Sequence, residues 1–224
     1  MKVIDISGPI YTGMWSYADY YPDFELSAVE FEFGGEKYSV DVFKGMHAQV
    51  GTYLEAPQIF SESGKEGALA DIPLEKLFMI DAYILNIPHD ELGIKDGRPF
   101  VSLDDIKKAQ KDDIPEGSAI LVGTGYGKNW DKKDYVQKAW FFKKDALYHI
   151  IDMKPFLLGG DSPVWENEVN PEGGFERFYK EGILLFAPCI NLEKINSFKV
   201  KLTIMPLKIL KAGVCPVRAA VAHE

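Results

Sequence analysis

The most chemically informative stretch of this chain is His47-Ala-Gln-Val-Gly-Thr-Tyr-Leu-Glu-Ala-Pro-Gln-Ile-Phe60. Side chains alternate across an extended strand, so a regular strand here would place His47, Gln49, Gly51, Tyr53 and Glu55 on one face. That face is polar in an apolar neighbourhood, and Ala56-Pro57 then stops the ladder and bends the chain. Glu55 is the candidate general base. A carboxylate moved into an apolar pocket has its pKa raised by desolvation, which suits it to take or give a proton near neutral pH. Gln49 and Tyr53 would then act as hydrogen-bonding or electrophilic groups beside it. The alternative is an inert Glu55 that accepts hydrogen bonds from Tyr53, Gln49 or Thr52.

Other chemistry is harder to build. His47 and Glu55, with Asp161 as a third group, would need a bulge to share one ion, since eight strand positions at 3.3 Å each span about 26 Å. Cys189 and Cys215 are too far apart in sequence for a zinc knuckle, and burial is the default for both thiols. A Cys189 nucleophile would need a base, and no histidine is placed beside it by sequence. The glycines from Gly123 to Gly127 lack the spacing and lysine of a phosphate loop and do not open a long helix as a dinucleotide fingerprint does.

The elements that must position these groups follow from pattern and punctuation. Val3 to Ile6 reads as a strand, followed by a ring-rich loop with Tyr11, Trp15, Tyr17, Tyr20, Tyr21 and Phe24. Glu25 to Phe33 alternates, and Gly34-Gly35 turns it into Lys37 to Phe43, a hairpin signature. Leu77 to Leu85 is apolar enough for a buried strand. Ser102 with Asp105 three residues later predicts a capping box and a helix ending before Asp112. Ala119 to Val122, Phe156 to Leu158, Ile183 to Phe186, Lys199 to Ile204 and Val217 to Val221 read as strands. Lys143 to Asp152 and Gly173 to Glu181 read as helices. The pattern predicts an α/β fold with a mixed sheet, helices on one side and a hairpin layer, in a single domain over residues 1–224.

Composition narrows the partners. At 224 residues, with 46% apolar and 26% charged residues, the chain is ordinary for a soluble globular domain, and no apolar run reaches the roughly 18 residues of a membrane span. A net charge of -9 opposes binding to a phosphate backbone, so nucleic acid is not expected as a partner. The start, MKVIDIS, lacks the basic stretch and apolar core of a secretion signal, and a cytoplasmic protein is expected.

Gln49-Val-Gly-Thr-Tyr-Leu-Glu-Ala-Pro-Gln-Ile-Phe60 resembles the H-x-G-T-H-x-D-A-P-x-H-F signature of the cyclase family, which includes kynurenine formamidase and isatin hydrolase. Ile4-Asp-Ile-Ser7 with Pro9 and Gly13-Met14 is similar to the family's first strand and loop. Val122-Gly-Thr-Gly-Tyr126 with Trp130 is similar to its T-G-W segment, and Gly159-Gly-Asp161-Ser-Pro163 to its G-x-D-x-P loop. Met205-Pro-Leu-Lys208, Gly213 and Pro216-Val-Arg218 are similar to its closing elements, so the resemblance runs almost end to end. It implies a swivelling β/β/α-type fold and an amide-opening hydrolase with zinc or manganese.

The chain departs from that pattern at the ligands. The family's metal and proton-transfer positions fall on Gln49, Tyr53, Glu55 and Ile59, and two later ones on Phe175 and Ala187. Gln and a phenol are poor zinc ligands beside imidazole, thiolate or carboxylate, so no metal site is expected. The resemblance therefore implies either a divergent hydrolase of a small amide or cyclic amide, with Glu55 as base, or a non-catalytic homologue that binds a small molecule or serves a structural role. It also implies a homodimer or homotetramer. The pocket would be lined by Trp15, Tyr17, Tyr20, Ile59, Phe175 and Asp161.

Overall fold

The computed structural model describes residues 1–57 and 67–223. Its strands are β1 (Lys2–Asp5), β2 (Glu25–Phe33), β3 (Glu36–Lys44), β4 (Tyr53–Glu55), β5 (Ile80–Asn86), β6 (Gly93–Lys95), β7 (Arg98–Val101), β8 (Ala119–Gly123), β9 (Phe141–Phe142), β10 (Leu157–Gly160), β11 (Leu184–Ala187), β12 (Lys199–Pro206) and β13 (Val214–His223). The α-helices are α1 (Leu103–Ala109), α2 (Lys144–Asp152) and α3 (Phe175–Lys180).

Eight strands form one mixed sheet in the order β1-β13-β12-β5-β8-β10-β11-β4. Strands β5, β8, β10 and β11 run parallel, while β12, β13, β1 and β4 join antiparallel. The long β13 turns back to pair with β4 as well, matching Val214 with Glu55 and Pro216 with Tyr53. That pairing closes the sheet into a barrel. The α/β class and mixed sheet are as the sequence predicts; the closure is new, because one strand partnering at both ends leaves no mark in local periodicity.

Alternation along the strands sorts side chains into two cores. In β8, Ala119 and Leu121 join one apolar cluster and Ile120 and Val122 the other. The first cluster also takes Leu54, Ile84, Leu157, Phe186, Leu202, Cys215 and Val221, one face of strands all round the closed sheet, and so fills the barrel. The second lies outside, under the helices and the amino-terminal loop. Helix α2 sends Ala146, Leu147, Ile150 and Ile151 into it, and α1 sends Ile106. The predicted capping box is present: Asp105 N–H donates to Ser102 Oγ at 3.2 Å and Ser102 N–H to Asp105 Oδ2 at 2.8 Å.

The predicted hairpin forms, with Phe33 opposite Glu36. Gly34 and Gly35 sit at φ 61° and 84°, the two positive values that a tight two-residue turn demands and only glycine adopts freely. No helix among the described residues is long and apolar enough to cross a membrane.

One predicted element is corrected. A strand over His47 to Glu55 does not form; only Tyr53–Glu55 is strand, and residues 47–52 turn. Gly51 takes φ 72°, and a Cβ there would stand 2.7 Å from Ile10 Cγ1, so neither an extended nor a larger residue fits. Thr52 fixes the turn from its other side, its hydroxyl donating to the Pro188 carbonyl at 2.6 Å and accepting from Gly8 N–H at 2.9 Å.

Candidate functional site

The turn changes what the segment can do. A straight strand would hold Gln49 and Glu55 about 20 Å apart; instead the chain folds back and Gln49 Nε2 donates to Glu55 Oε2 at 3.3 Å. Strand β4 is centred between β11 and β13, which sets Glu55 opposite Leu185 and Val214 and Tyr53 opposite Ala187 and Pro216. Leu54 enters the barrel, so its neighbours Tyr53 and Glu55 face outward beneath α3 and the amino-terminal loop.

There Glu55 is 3% exposed. Its second oxygen, Oε1, accepts from the Tyr179 hydroxyl on α3 at 2.6 Å. Gln49 Oε1 in turn accepts from the Tyr21 hydroxyl at 2.6 Å, and the Tyr17 and Tyr53 hydroxyls meet at 3.4 Å. The result is a chain of neutral donors around one carboxyl. Burial pushes the Glu55 carboxyl above its ordinary range, against the pull of the Tyr179 and Gln49 hydrogen bonds. Burial and the Glu55 charge push the phenols of Tyr53 and Tyr179 up as well, so both remain protonated donors.

Sequence reasoning did not single out Tyr179 or Tyr21 as partners. Tyr179 was findable: it lies four residues after Phe175 on a predicted helix, hence on the same face. In the structure the Phe175 and Tyr179 rings stack at 5.7 Å, and Phe175 also lies against Trp165 at 6.4 Å. Phe175 thus walls the helix side of the cluster. Ala187 is buried directly across from Tyr53, adding wall where a longer side chain would reach the phenol.

The expected lining residues separate. Tyr17 reaches the cluster through Tyr53, their rings 6.0 Å apart. Trp15 is buried one layer back, edge-on to Tyr17 and Trp130 and tilted against Tyr135. Tyr20 is 80% exposed and touches Tyr21 rather than the Glu55 cluster. Ile59 lies outside the described residues.

Asp161 stands apart from the cluster, in place of the lining role expected of it. It has no exposure, and its Oδ2 accepts from the N–H groups of Thr124, Gly125 and Tyr126 at 2.7–3.0 Å. Its Oδ1 accepts from the Thr124 hydroxyl and Trp140 Nε1. Its work is to fasten the glycine turn after β8 to β10.

His47 borders the run at Gln49, its ring stacked on Tyr21 at 4.3 Å and its Nδ1 accepting from Gln49 N–H. Cys189 is sealed, and burial, with the Asp161 charge, pushes its thiol up, which disfavours a thiolate nucleophile.

Zinc or manganese does not fit this donor set. The groups around Glu55 are an amide and phenols held protonated, and both carboxylate oxygens already accept hydrogen bonds. Among the described residues no three His, Cys, Asp or Glu side chains come together as a metal-binding group.

Comparison with known proteins places the architecture. A family model described as putative cyclase matches residues 4–167. The chain belongs to the cyclase family. Solved structures agree in fold. A potential metal-dependent hydrolase with cyclase activity superposes with a TM-score of 0.73 at 21% identity, covering 100% of this chain and 99% of that one. An isatin hydrolase bound to the product analogue thioisatinate gives 0.78 at 18% identity, with 99% and 92% covered. Isatin hydrolase A from Labrenzia aggregata gives 0.78 at 16% identity, with 100% and 94% covered. None of the curated proteins searched matches the sequence.

Proposed function

We propose that this cyclase-family chain binds a small neutral amide or cyclic amide at the Glu55 cluster and does so without metal-dependent hydrolysis. The observation that carries the reading is the closed run Tyr21–Gln49–Glu55–Tyr179, in which each acceptor of the carboxyl already has a neutral donor. Such a carboxyl has no need of a cation to balance its hydrogen bonding, and its surrounding amide and phenols match the donor and acceptor pairs of an amide ligand. The ligand class follows from isatin, a cyclic amide, which is what two proteins of the same fold are named for hydrolysing. The same reading takes the protein to be cytoplasmic, in keeping with two free, buried cysteines.

A second reading is favoured by the raised carboxyl: Glu55 as general base in a metal-free amide hydrolysis, taking a proton from water as it attacks the carbonyl. One set of measurements separates the two. Protein purified without added metal is analysed for zinc and manganese, then screened with isatin and simple lactams for thermal stabilisation and turnover. The binding reading expects stabilisation with no turnover and no stoichiometric metal. Turnover lost in Glu55→Gln would establish the hydrolase instead. Stoichiometric zinc or manganese bound at the cluster would end both.

A further inference from the structure

The glycine segment after β8 takes no part in the Glu55 cluster, yet it floors a second crevice. Strands β5 and β8 run parallel and adjacent, and their carboxyl ends, Asn86 and Gly123, open on a cavity of about 450 Å³. That end of parallel strands is where α/β proteins commonly lodge ligands. Gly123 leaves room for Leu192, whose Cβ lies 2.7 Å from where a Gly123 Cβ would stand, and Leu192 is itself buried in the barrel. This close approach carries the 3-10 turn Leu192–Lys194, and Glu193 with it, over Gly125. Gly125 takes φ 82° and leads into the turn Tyr126–Asn129, which brings up Lys128. The remaining wall is the loop after β5, where His89 N–H donates to the Thr124 carbonyl at 3.0 Å and the His89 ring lies 5.2 Å from that of Tyr126.

Opposite charges meet at this floor without pairing. Lys128 Nζ and Glu193 Cβ stand 3.6 and 3.7 Å from the point that a Gly125 Cβ would take, so both bound one spot. Neither side chain has an ion-pair or hydrogen-bond partner among the described residues. Two polar atoms in the walls are left over as well: Glu193 Oε2 and His89 Nδ1 are shielded and accept or donate no hydrogen bond among the described residues. Buried polar atoms are seldom left so, and a ligand that pairs with them is one way to relieve the cost. Both side chains are otherwise partly exposed, so each is within reach of the cavity. Burial pulls the His89 imidazole below its ordinary value, against the Asp90 charge, so the ring is neutral at pH 7. The charges on the cavity are then those of Lys128, Glu193 and the exposed Asp90.

We propose that this crevice binds a small zwitterion carrying an ammonium and a carboxylate, a free amino acid, with its ammonium on Glu193 and its carboxylate on Lys128. His89, as a neutral imidazole, takes a further ammonium proton. One cation and two carboxylates call for a ligand with a full positive charge and a single negative one. A phosphate fits the anion end less well. The N–H groups of Thr124, Gly125 and Tyr126 that could cradle it are all spent on Asp161, which leaves one lysine for a dianion. A bare metal ion fits less well too, since no three His, Cys, Asp or Glu side chains converge among the described residues.

Nitrogen-15 NMR titration of the intact chain with glycine and β-alanine tests this. At least one should bind with a dissociation constant of about 10 mM or tighter, shifting the amides of His89, Gly125 and Lys128. Acetate and methylammonium, each half of the ligand, should bind at least about tenfold more weakly than that zwitterion. Glu193→Gln and Lys128→Met should each weaken its binding about tenfold or more, with far-ultraviolet circular dichroism unchanged. Lys132→Met and Glu116→Gln, which remove exposed charges outside the cavity, should leave binding as it is. Binding of neither zwitterion, shifts confined to the region of Gln49 and Glu55, acetate as tight as the zwitterion, phosphoethanolamine tighter than β-alanine, or Glu193 and Lys128 variants that bind like the wild type would each overturn the proposal.

Discussion

The Tyr179 hydroxyl donates to Glu55 Oε1 at 2.6 Å across 124 residues of sequence, tying a helix to the central strand of the candidate site. Removing that donor leaves a buried carboxyl oxygen without its shortest bond. Tyr179→Phe should cost about 1–3 kcal/mol in urea unfolding, the usual toll for an orphaned buried acceptor. It should also move the Glu55 titration still higher, since the bond now favours the charged form. Carbon-13 NMR of the Glu55 carboxyl reads that shift directly, and an unmoved titration would break the link.

The sign of the Glu55 contribution to stability follows from its raised pKa. Between the ordinary glutamate value and the folded value, the folded state holds a proton that the unfolded chain has released. Stability therefore falls as pH rises through that window, and above it the buried charge is a standing cost. Glu55→Gln removes the charge and keeps an acceptor for Tyr179. It should flatten the pH dependence of Tm from acid to neutral pH, and at pH 8 it should match or exceed the wild type. Glu55→Ala, which empties the space and strands the donors, should lose about 2–4 kcal/mol.

Much of the frame was legible in the chain, and the reason is local. The hairpin turn at Gly34-Gly35, the Ser102–Asp105 cap and the apolar strands each rest on neighbours a few residues apart. What escaped was set by distant contact. The closure of the barrel depends on β13 reaching β4, and the turn at residues 47–52 depends on Gly51 lying against Ile10 and on Thr52 gripping Pro188. Alternating polar residues from His47 to Glu55 imitated a strand because period two is all a short segment can announce. The positions of Gln49, Tyr53 and Glu55 were legible as one cluster. On the ring-rich loop and α3, Tyr17 and Phe175 were named in advance, whereas the hydrogen-bonding partners Tyr21 and Tyr179 were not, apart from the helical spacing that joins Tyr179 to Phe175.

Asp161 gives a sharper structural prediction. Five donors, three of them successive backbone N–H groups, converge on its two oxygens with no solvent exposure. Asp161→Asn replaces one oxygen with an N–H₂ that faces donors whichever way the amide turns. The loss should be about 3–5 kcal/mol, on the scale of breaking a buried charged network. Chemical denaturation measures it, and protection of the Gly125 and Tyr126 amides in hydrogen exchange should drop with it.

Gly51 tests whether the turn, rather than the strand, makes the site. At φ 72° an L side chain is strained, and its Cβ would press on Ile10 at 2.7 Å, so Gly51→Ala should destabilise by roughly 1–3 kcal/mol. Relief is available only by opening the turn, which would draw Gln49 away from Glu55. If the cluster binds a small amide, the variant should lose most of the ligand-induced rise in Tm even where it stays folded, because Gln49 no longer meets the carboxyl. Thermal shift with isatin, compared at temperatures where both proteins are native, checks this; an undiminished rise would mean that Gln49 takes no part in binding.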